Sequence, residues 1–347
     1  MTYPPHCGSH WTGQSPFFEG WYVRLLLPES GTTFAFMYSI ENPPETLSSG
    51  GGAVQILGPA ELLKVRTLPN VKAFWATPGE FALGHWGQGS PYLSPQPLTT
   101  SQFWQQIPEG YQIRRHHHQG QLTFPDGPCR WQFHLMPQSL WGSQHRPLQA
   151  TAGWLSFLPL FDPGWQVLLA KGRAMGWIEW QGQQFEFTHA IAYVEKNWGT
   201  SFPARWFWVQ ANDFEACPSL SVTAAAGERL VLTHRETVGL VGVHWQGQFY
   251  EFAPWTGEVR WQVGQWGRWD VWATNNNFWV ELQGSTDQPG TWVHTPTAQG
   301  LQLNCRDTTQ GTLRLRLGHH YYGLMVEAQT TTAGLEVGGD WGQSTSG

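Results

Sequence analysis

Apolar residues in this chain alternate with polar ones in short runs and almost nowhere keep a sustained helical period. Phe17-Phe-Glu-Gly-Trp-Tyr-Val-Arg-Leu-Leu-Leu27 and Thr32-Thr-Phe-Ala-Phe-Met-Tyr-Ser-Ile-Glu41 flank the turn Pro28-Glu-Ser-Gly31, which predicts a hairpin. Further strands are predicted at 53–57, near 74–75 and 81–83, and at 103–107, 110–113, 121–124 and 129–135, with at most a helical turn at 61–65. Residues 42–52 and 89–100 read as loops. After a Pro- and Gly-rich span at 137–164 the pattern resumes at 165–169 and 172–180, then in short runs from 220 to 337. Trp180-Gln-Gly-Gln-Gln-Phe-Glu-Phe187 is echoed by Trp245-Gln-Gly-Gln-Phe-Tyr-Glu-Phe252, and both predict hairpins turning at Gly.

Many short strands separated by frequent turn signals make the chain all-β, a barrel or a sandwich. Its 347 residues suit two up-and-down, lipocalin-like antiparallel barrels with little helix, one over 1–160 and one over 165–347, joined by the Pro- and Gly-rich span. Composition then narrows the partners. Only 13% of residues are charged and the net charge is −6, so the chain lacks the basic surface a nucleic acid needs. The 23 Trp point to a Trp-rich core, an apolar ligand cavity or a rim at a membrane surface. Cys7, Cys129, Cys217 and Cys305 are scattered without paired spacing and read as reduced thiols. The opening residues carry no signal-peptide pattern, and no apolar run is long enough for a spanning helix. Membrane contact is therefore expected to be peripheral, with 154–160 as an apolar lip.

The chemistry concentrates between His189 and Asp213. There Tyr193, Glu195 and Asn197 share one face of an extended run, and Trp206, Trp208, Gln210 and Asn212 share one face of the next. A single hairpin carrying both runs would bring carboxylate, amide and indole into one cavity. Glu195 and Glu19 each sit among aromatics. Each is either ion-paired at a barrel end or a desolvated carboxyl able to act as a general acid. Arg114-Arg-His-His-His118 lacks metal-site spacing, and adjacent strand residues alternate faces, so it reads as a solvated edge or turn. His319-His320 reads the same way. Dinucleotide, Walker and nucleophile-elbow motifs are absent, so no cofactor and no metal are expected.

Several stretches together resemble the tocopherol cyclase family: Phe17-Phe-Glu-Gly-Trp-Tyr22, Phe34-Ala-Phe-Met-Tyr-Ser-Ile-Glu41, Glu195-Lys-Asn-Trp-Gly199 and Phe202-Pro-Ala-Arg-Trp-Phe-Trp-Val-Gln210. Pro296-Thr297, Cys305-Arg-Asp-Thr308 and Leu335-Glu-Val-Gly-Gly339 add to the resemblance, which spans nearly the whole chain. A more distant similarity runs to lipocalin-like carotenoid hydratases. The resemblance implies closure of 2-methyl-6-phytyl- and 2,3-dimethyl-6-phytylbenzoquinol to chromanols. It also implies a cyanobacterial type of member, on the cytoplasmic side of a thylakoid or other internal membrane.

Such a ring closure needs a protonated acid, a shaped apolar pocket and groups that tolerate positive charge. Glu195 is expected to be the acid, Asn197 to orient it or the quinol hydroxyl, and Glu19 to be the second candidate. Trp21, Tyr38, Tyr193, Trp198, Trp206, Trp208 and Gln210 are expected to line the pocket. Two rivals need no chemistry: a lipocalin-type prenylquinone carrier, and a carbohydrate-binding module that would display its Trp side chains.

Overall fold

The first hairpin forms as expected. In the computed structural model of this protein, β1 (Phe17–Leu27) pairs with β2 (Thr32–Asn42) from Leu27 opposite Thr32 outward. Gly31 closes the turn with φ of 65°, a conformation glycine adopts without cost from a Cβ. The structure describes residues 4–42, 50–87, 94–158, 161–231, 234–297 and 300–341. Parts of the expected loops (43–49 and 88–93), the end of the apolar lip (159–160) and the end of the strand expected at 230–233 lie outside the described residues.

The chain then adds β3 (Gly51–Leu57), β4 (Leu63–Leu68), β5 (Phe74–Ala76), β6 (Ala82–His85), β7 (Gly110–Arg114), β8 (His117–Phe124) and β9 (Gly127–Ser139). A two-residue strand, β10 (Phe161–Asp162), precedes the long hairpin of β11 (Gly164–Trp180) and β12 (Gln183–Gly199). These strands, β10 excepted, make one antiparallel sheet in the order β4-β3-β2-β1-β12-β11-β9-β8-β7-β6-β5. The rest of the chain supplies β13 (Arg205–Ala211), β14 (Ser221–Val231), β15 (His234–Trp245), β16 (Gln248–Phe252), β17 (Gly257–Val263) and β18 (Arg268–Asn275). It ends with β19 (Phe278–Ser285), β20 (Thr291–Thr297), β21 (Gly300–His319) and β22 (Gly323–Gly339). The second sheet runs β16-β15-β14-β13-β22-β21-β19-β18-β17, with β20 paired to β21 and β10 to β14.

Each sheet wraps its own core. Val23, Leu25, Phe34, Phe36, Ile56 and Phe133 fill the first, and Phe207, Val209, Val222, Val271, Leu315 and Leu335 fill the second. A third cluster lies where the sheets meet, made by Trp141, Trp165, Val167, Tyr193, Trp208 and Leu240. The two echoing hairpins share one geometry. Gln181-Gly182 and Gln246-Gly247 are two-residue loops with all four φ positive, the turn that matches strand twist.

Three expectations change. The 137–164 span leaves β9, touches the second sheet through β10 and returns to β11 beside β9, so the chain passes to the second sheet for good between Gly199 and Arg205, not at 160–165. Accordingly β12 and β13 do not form a hairpin with each other; β12 pairs with β1 and β11, and β13 with β14 and β22. Residues 103–107 are not a strand: α1 (Thr100–Gln106) is a helix closed by a capping box between Thr99 and Gln102, which outweighs the local apolar run.

Candidate active site

The alternation of two strands from different sheets builds the site. On β12, Ala192 and Val194 fill the first core, so Tyr193, Glu195 and Asn197 point at the second sheet. On β13, Phe207, Val209 and Ala211 fill the second core, so Trp206, Trp208 and Gln210 point back. Asn212 continues that face and donates to the Ala192 carbonyl at 3.0 Å, pinning one sheet on the other. The two predicted faces are both correct, and they meet across the space between sheets.

Glu195 lies in that space. Its Oε2 accepts from the Tyr193 hydroxyl at 2.6 Å, the Trp165 indole N–H at 2.9 Å and the Trp208 indole N–H at 3.1 Å. Oε1 accepts none of these three bonds. Burial pushes the carboxyl up to about 7; the three donors pull against it, and the charge of Glu336 adds to the rise. Such a group holds its proton for much of the time at neutral pH. An acceptor-only role for Oε2 leaves Oε1 as the O–H.

Two clefts meet at this carboxyl. One encloses about 580 Å³, mouth included, between Trp165, Trp206, Trp208, Pro163, Pro203 and Leu240. The other encloses about 630 Å³ between Tyr22, Met37, Gln55, Val293, Pro296 and Leu301. Glu195, Asn197, Phe202 and Glu336 line both. The walls of both are mostly apolar with few polar groups, as those of small-molecule sites are.

Sequence reasoning missed the carboxyls of the second sheet. Glu336 faces Trp208 across β13–β22 and Asp307 across β21–β22. Its Oε1 accepts the Trp206 indole N–H. Asp307 is buried and neither of its oxygens has a hydrogen-bond partner. Burial raises both carboxyls, Asp307 most strongly, and the charge of Glu336 adds to the cost of ionising Asp307. Arg24 is the buried cation of this region, held by Gln210 Oε1 at 3.0 Å and by the carbonyls of Thr309 and Thr332. The available signal was an acid within an alternating run, Asp307 in Cys305–Thr308 and Glu336 between Leu335 and Val337.

Other expected site residues lie elsewhere. Glu19 is fully buried against Lys196 on the opposite face of β12. It also accepts from Ser9 Oγ at 2.6 Å and from the backbone N–H of His10 and Trp11. Burial alone would raise its pKa; the Lys196 charge and the hydrogen bonds of His10, Lys196 and Ser9 outweigh that and hold it at about 2. Glu19 is therefore an ion-paired anchor for the N-terminal segment and carries no proton to give. Trp198 shares that face and stacks on His10 at 4.2 Å, away from Glu195. Trp21 and Tyr38, by contrast, do line the second cleft, although both also pack in the first core. Gln210 gives its Oε1 to Arg24, and its buried Nε2 has no hydrogen-bond partner. In the His run, Arg115 takes the turn with φ of 57°, but His118 is buried and stacked on Phe133 at 4.8 Å. Among the described residues, no three His, Cys, Asp or Glu side chains are grouped to hold a metal ion.

With this geometry in hand, comparison with known proteins is decisive. A family profile described as tocopherol cyclase-like matches residues 15–339. The chain belongs to that family. The probable tocopherol cyclase of Oryza sativa subsp. japonica, a chloroplastic protein, is 37% identical over 96% of this chain and 78% of its own length. The chloroplastic tocopherol cyclase of Zea mays is also 37% identical, over 96% of this chain and 77% of its own length. Among solved structures, kievitone hydratase from Nectria haematococca aligns over 93% of this chain and 89% of its own, with a TM-score of 0.52 at 7% identity. CghA bound to Sch210972 aligns over 94% and 90%, with a TM-score of 0.56 at 9% identity. These two likenesses establish the shared two-sheet fold of this tocopherol cyclase-like chain.

Proposed function

We infer that this chain is a tocopherol cyclase that closes the chromanol ring of phytyl-benzoquinols in the space between its two sheets. The observation that carries the site is Glu195: a desolvated carboxyl with Oε2 held by three donors in an aromatic cleft. The O–H on Oε1 gives its proton to the less substituted carbon of the trisubstituted alkene. Positive charge develops on the tertiary carbon, the quinol oxygen bonds to it, and that oxygen sheds its proton. Substrate and product have the same atoms, so nothing is oxidised or reduced. The faces of Trp165, Trp206 and Trp208 suit the developing cation, at roughly 0.5–2 kcal/mol per well-placed ring. Asn197, at the junction of the two clefts, orients the quinol hydroxyl. The methylated phytylquinols named above are the substrate class proposed.

The test is turnover of reduced 2,3-dimethyl-6-phytylbenzoquinol in detergent, followed as chromanol by chromatography, for wild type and Glu195→Gln. Product from wild type alone is expected. Equal product from the two would move the acid elsewhere, and binding without product from wild type would mark a carrier.

The substrate is a lipid, and the short 3-10 helix Gly153–Phe157 displays Trp154 and Phe157, 66% and 64% exposed, followed by Leu158. Indole and phenyl groups displayed together suit a bilayer interface. We place this lip on the cytoplasmic face of a thylakoid or other internal membrane. Replacing both rings with Ser should lower liposome binding with stability unchanged within about 0.5 kcal/mol, as is usual at exposed sites. Unchanged binding would remove the lip.

A further inference from the structure

Ring closure has a second proton to handle, because the quinol oxygen must lose its hydrogen as the carbon–oxygen bond forms. We propose that Glu336 is the second catalytic carboxyl, accepting that proton. This rests on the cyclase function and on Glu195 as the acid.

Two observations place it. Among the described residues Glu336 is the one acidic side chain besides Glu195 that lines both clefts, so a quinol bridging them meets both carboxyls. Its neighbours are hydrogen donors, the Trp206 indole and the Cys305 thiol, which suit a carboxylate.

The balance closes. Glu195 loses a proton to the alkene carbon, and Glu336 gains one from the quinol oxygen as the C–O bond forms. The enzyme is left with Glu195 ionised and Glu336 protonated. Glu336 then releases its proton to solvent and Glu195 takes one up, which restores the starting state. The charge of an ionised Glu336 raises the pKa of Glu195 and of Asp307, which favours their protonated forms in that state.

The experiment compares pH profiles of chromanol formation at saturating quinol for wild type, Glu336→Gln and Glu336→Asp. Quinol binding is measured in parallel by Trp fluorescence. Wild type should lose rate at high pH, as Glu195 ionises, and at low pH, as Glu336 is protonated. Glu336→Gln should keep KM within about threefold, lose roughly 100-fold or more in kcat, as for a lost general base, and lose the low-pH limb. Glu336→Asp should recover part of the rate with both limbs. Retention of both limbs with more than a third of the rate in Glu336→Gln would overturn the proposal. So would loss of binding in both Glu336 variants with kcat unchanged, which would make Glu336 a binding residue only. A wild-type protein inactive on the quinol would instead sink the cyclase function itself, before any variant is compared.

Discussion

Replacing Lys196 with Met isolates the anchor that fixes β12 in place. The Lys196 ammonium is fully buried, paired with Glu19, and donates to the Gly8 carbonyl at 2.7 Å. It also packs over the Trp198 ring at 5.0 Å. Methionine keeps the length and the packing but leaves Glu19 buried without its cation. Glu19 is held at about 2 against an ordinary 4.5, a preference for the charged form worth about 3 kcal/mol to the fold at neutral pH. Removing one member of a buried pair costs about 3–5 kcal/mol in other proteins, a consistent scale. Ser9 and the backbone N–H groups stay, so the lower end applies. The sign with pH follows from a depressed carboxyl. Its contribution is complete above about 4.5 and is lost as pH falls through about 2. The gap between wild type and Lys196→Met should therefore be about 3 kcal/mol at pH 7 and narrow below pH 4.5. Urea denaturation across that pH range measures it. A gap under about 1 kcal/mol at pH 7, the scale of a surface pair, would refute the buried-pair argument. Turnover per folded molecule should persist in Glu19→Gln, because the ion pair faces away from the Glu195 cleft.

Three further outcomes follow from the same geometry. Glu195 has its folded pKa raised to about 7 from 4.5, so stability is greatest below 4.5 and falls as pH rises through 7; Glu195→Gln should be more stable than wild type at pH 8 by about 3 kcal/mol, measured by urea denaturation. Trp208→Phe removes one of the N–H donors that pull the Glu195 pKa down, so the high-pH limb of kcat/KM should move to higher pH. A Cβ on Gly338 would lie 1.9 Å from the Trp206 ring, so Gly338→Ala should cost about 1–3 kcal/mol and lower turnover by pushing Trp206 off Glu336.

Much of the architecture was legible because alternation is a local signal. The Pro28–Gly31 turn, both Gln-Gly hairpins and the all-β class follow from residues that sit next to each other in sequence. What was not legible depends on distant partners. The long strands β21 and β22 read as separate short runs, because their register shifts interrupt the alternation without ending the pairing. The change of sheet at 199–205 was hidden for a related reason: a Pro- and Gly-rich span looks like a domain connection wherever it falls. Here that span leaves the first sheet, packs Trp141 against Phe249 of the second at 5.0 Å, and returns.

The site shows the same limit more sharply. Alternation told which residues share a face with Glu195 and with Trp208, and both sets were right. It could not tell what covers a face. A strand residue pointing out of one sheet's core reads as solvent-exposed unless a second sheet lies over it, and only tertiary structure supplies that sheet. Glu19 and Glu195 look alike in sequence, each an acid among aromatics. Glu19 falls on the face where Lys196 waits, so its pKa drops. Glu195 falls on the face where Tyr193, Trp165 and Trp208 offer donors without a charge, so burial wins and its pKa rises. Opposite parity on one strand, Lys196 beside Glu195, is what separates the anchor from the acid. Glu336 was overlooked by the same logic in reverse: an acid on a strand of the second sheet reaches the clefts beside Glu195 only because the first sheet lies over it.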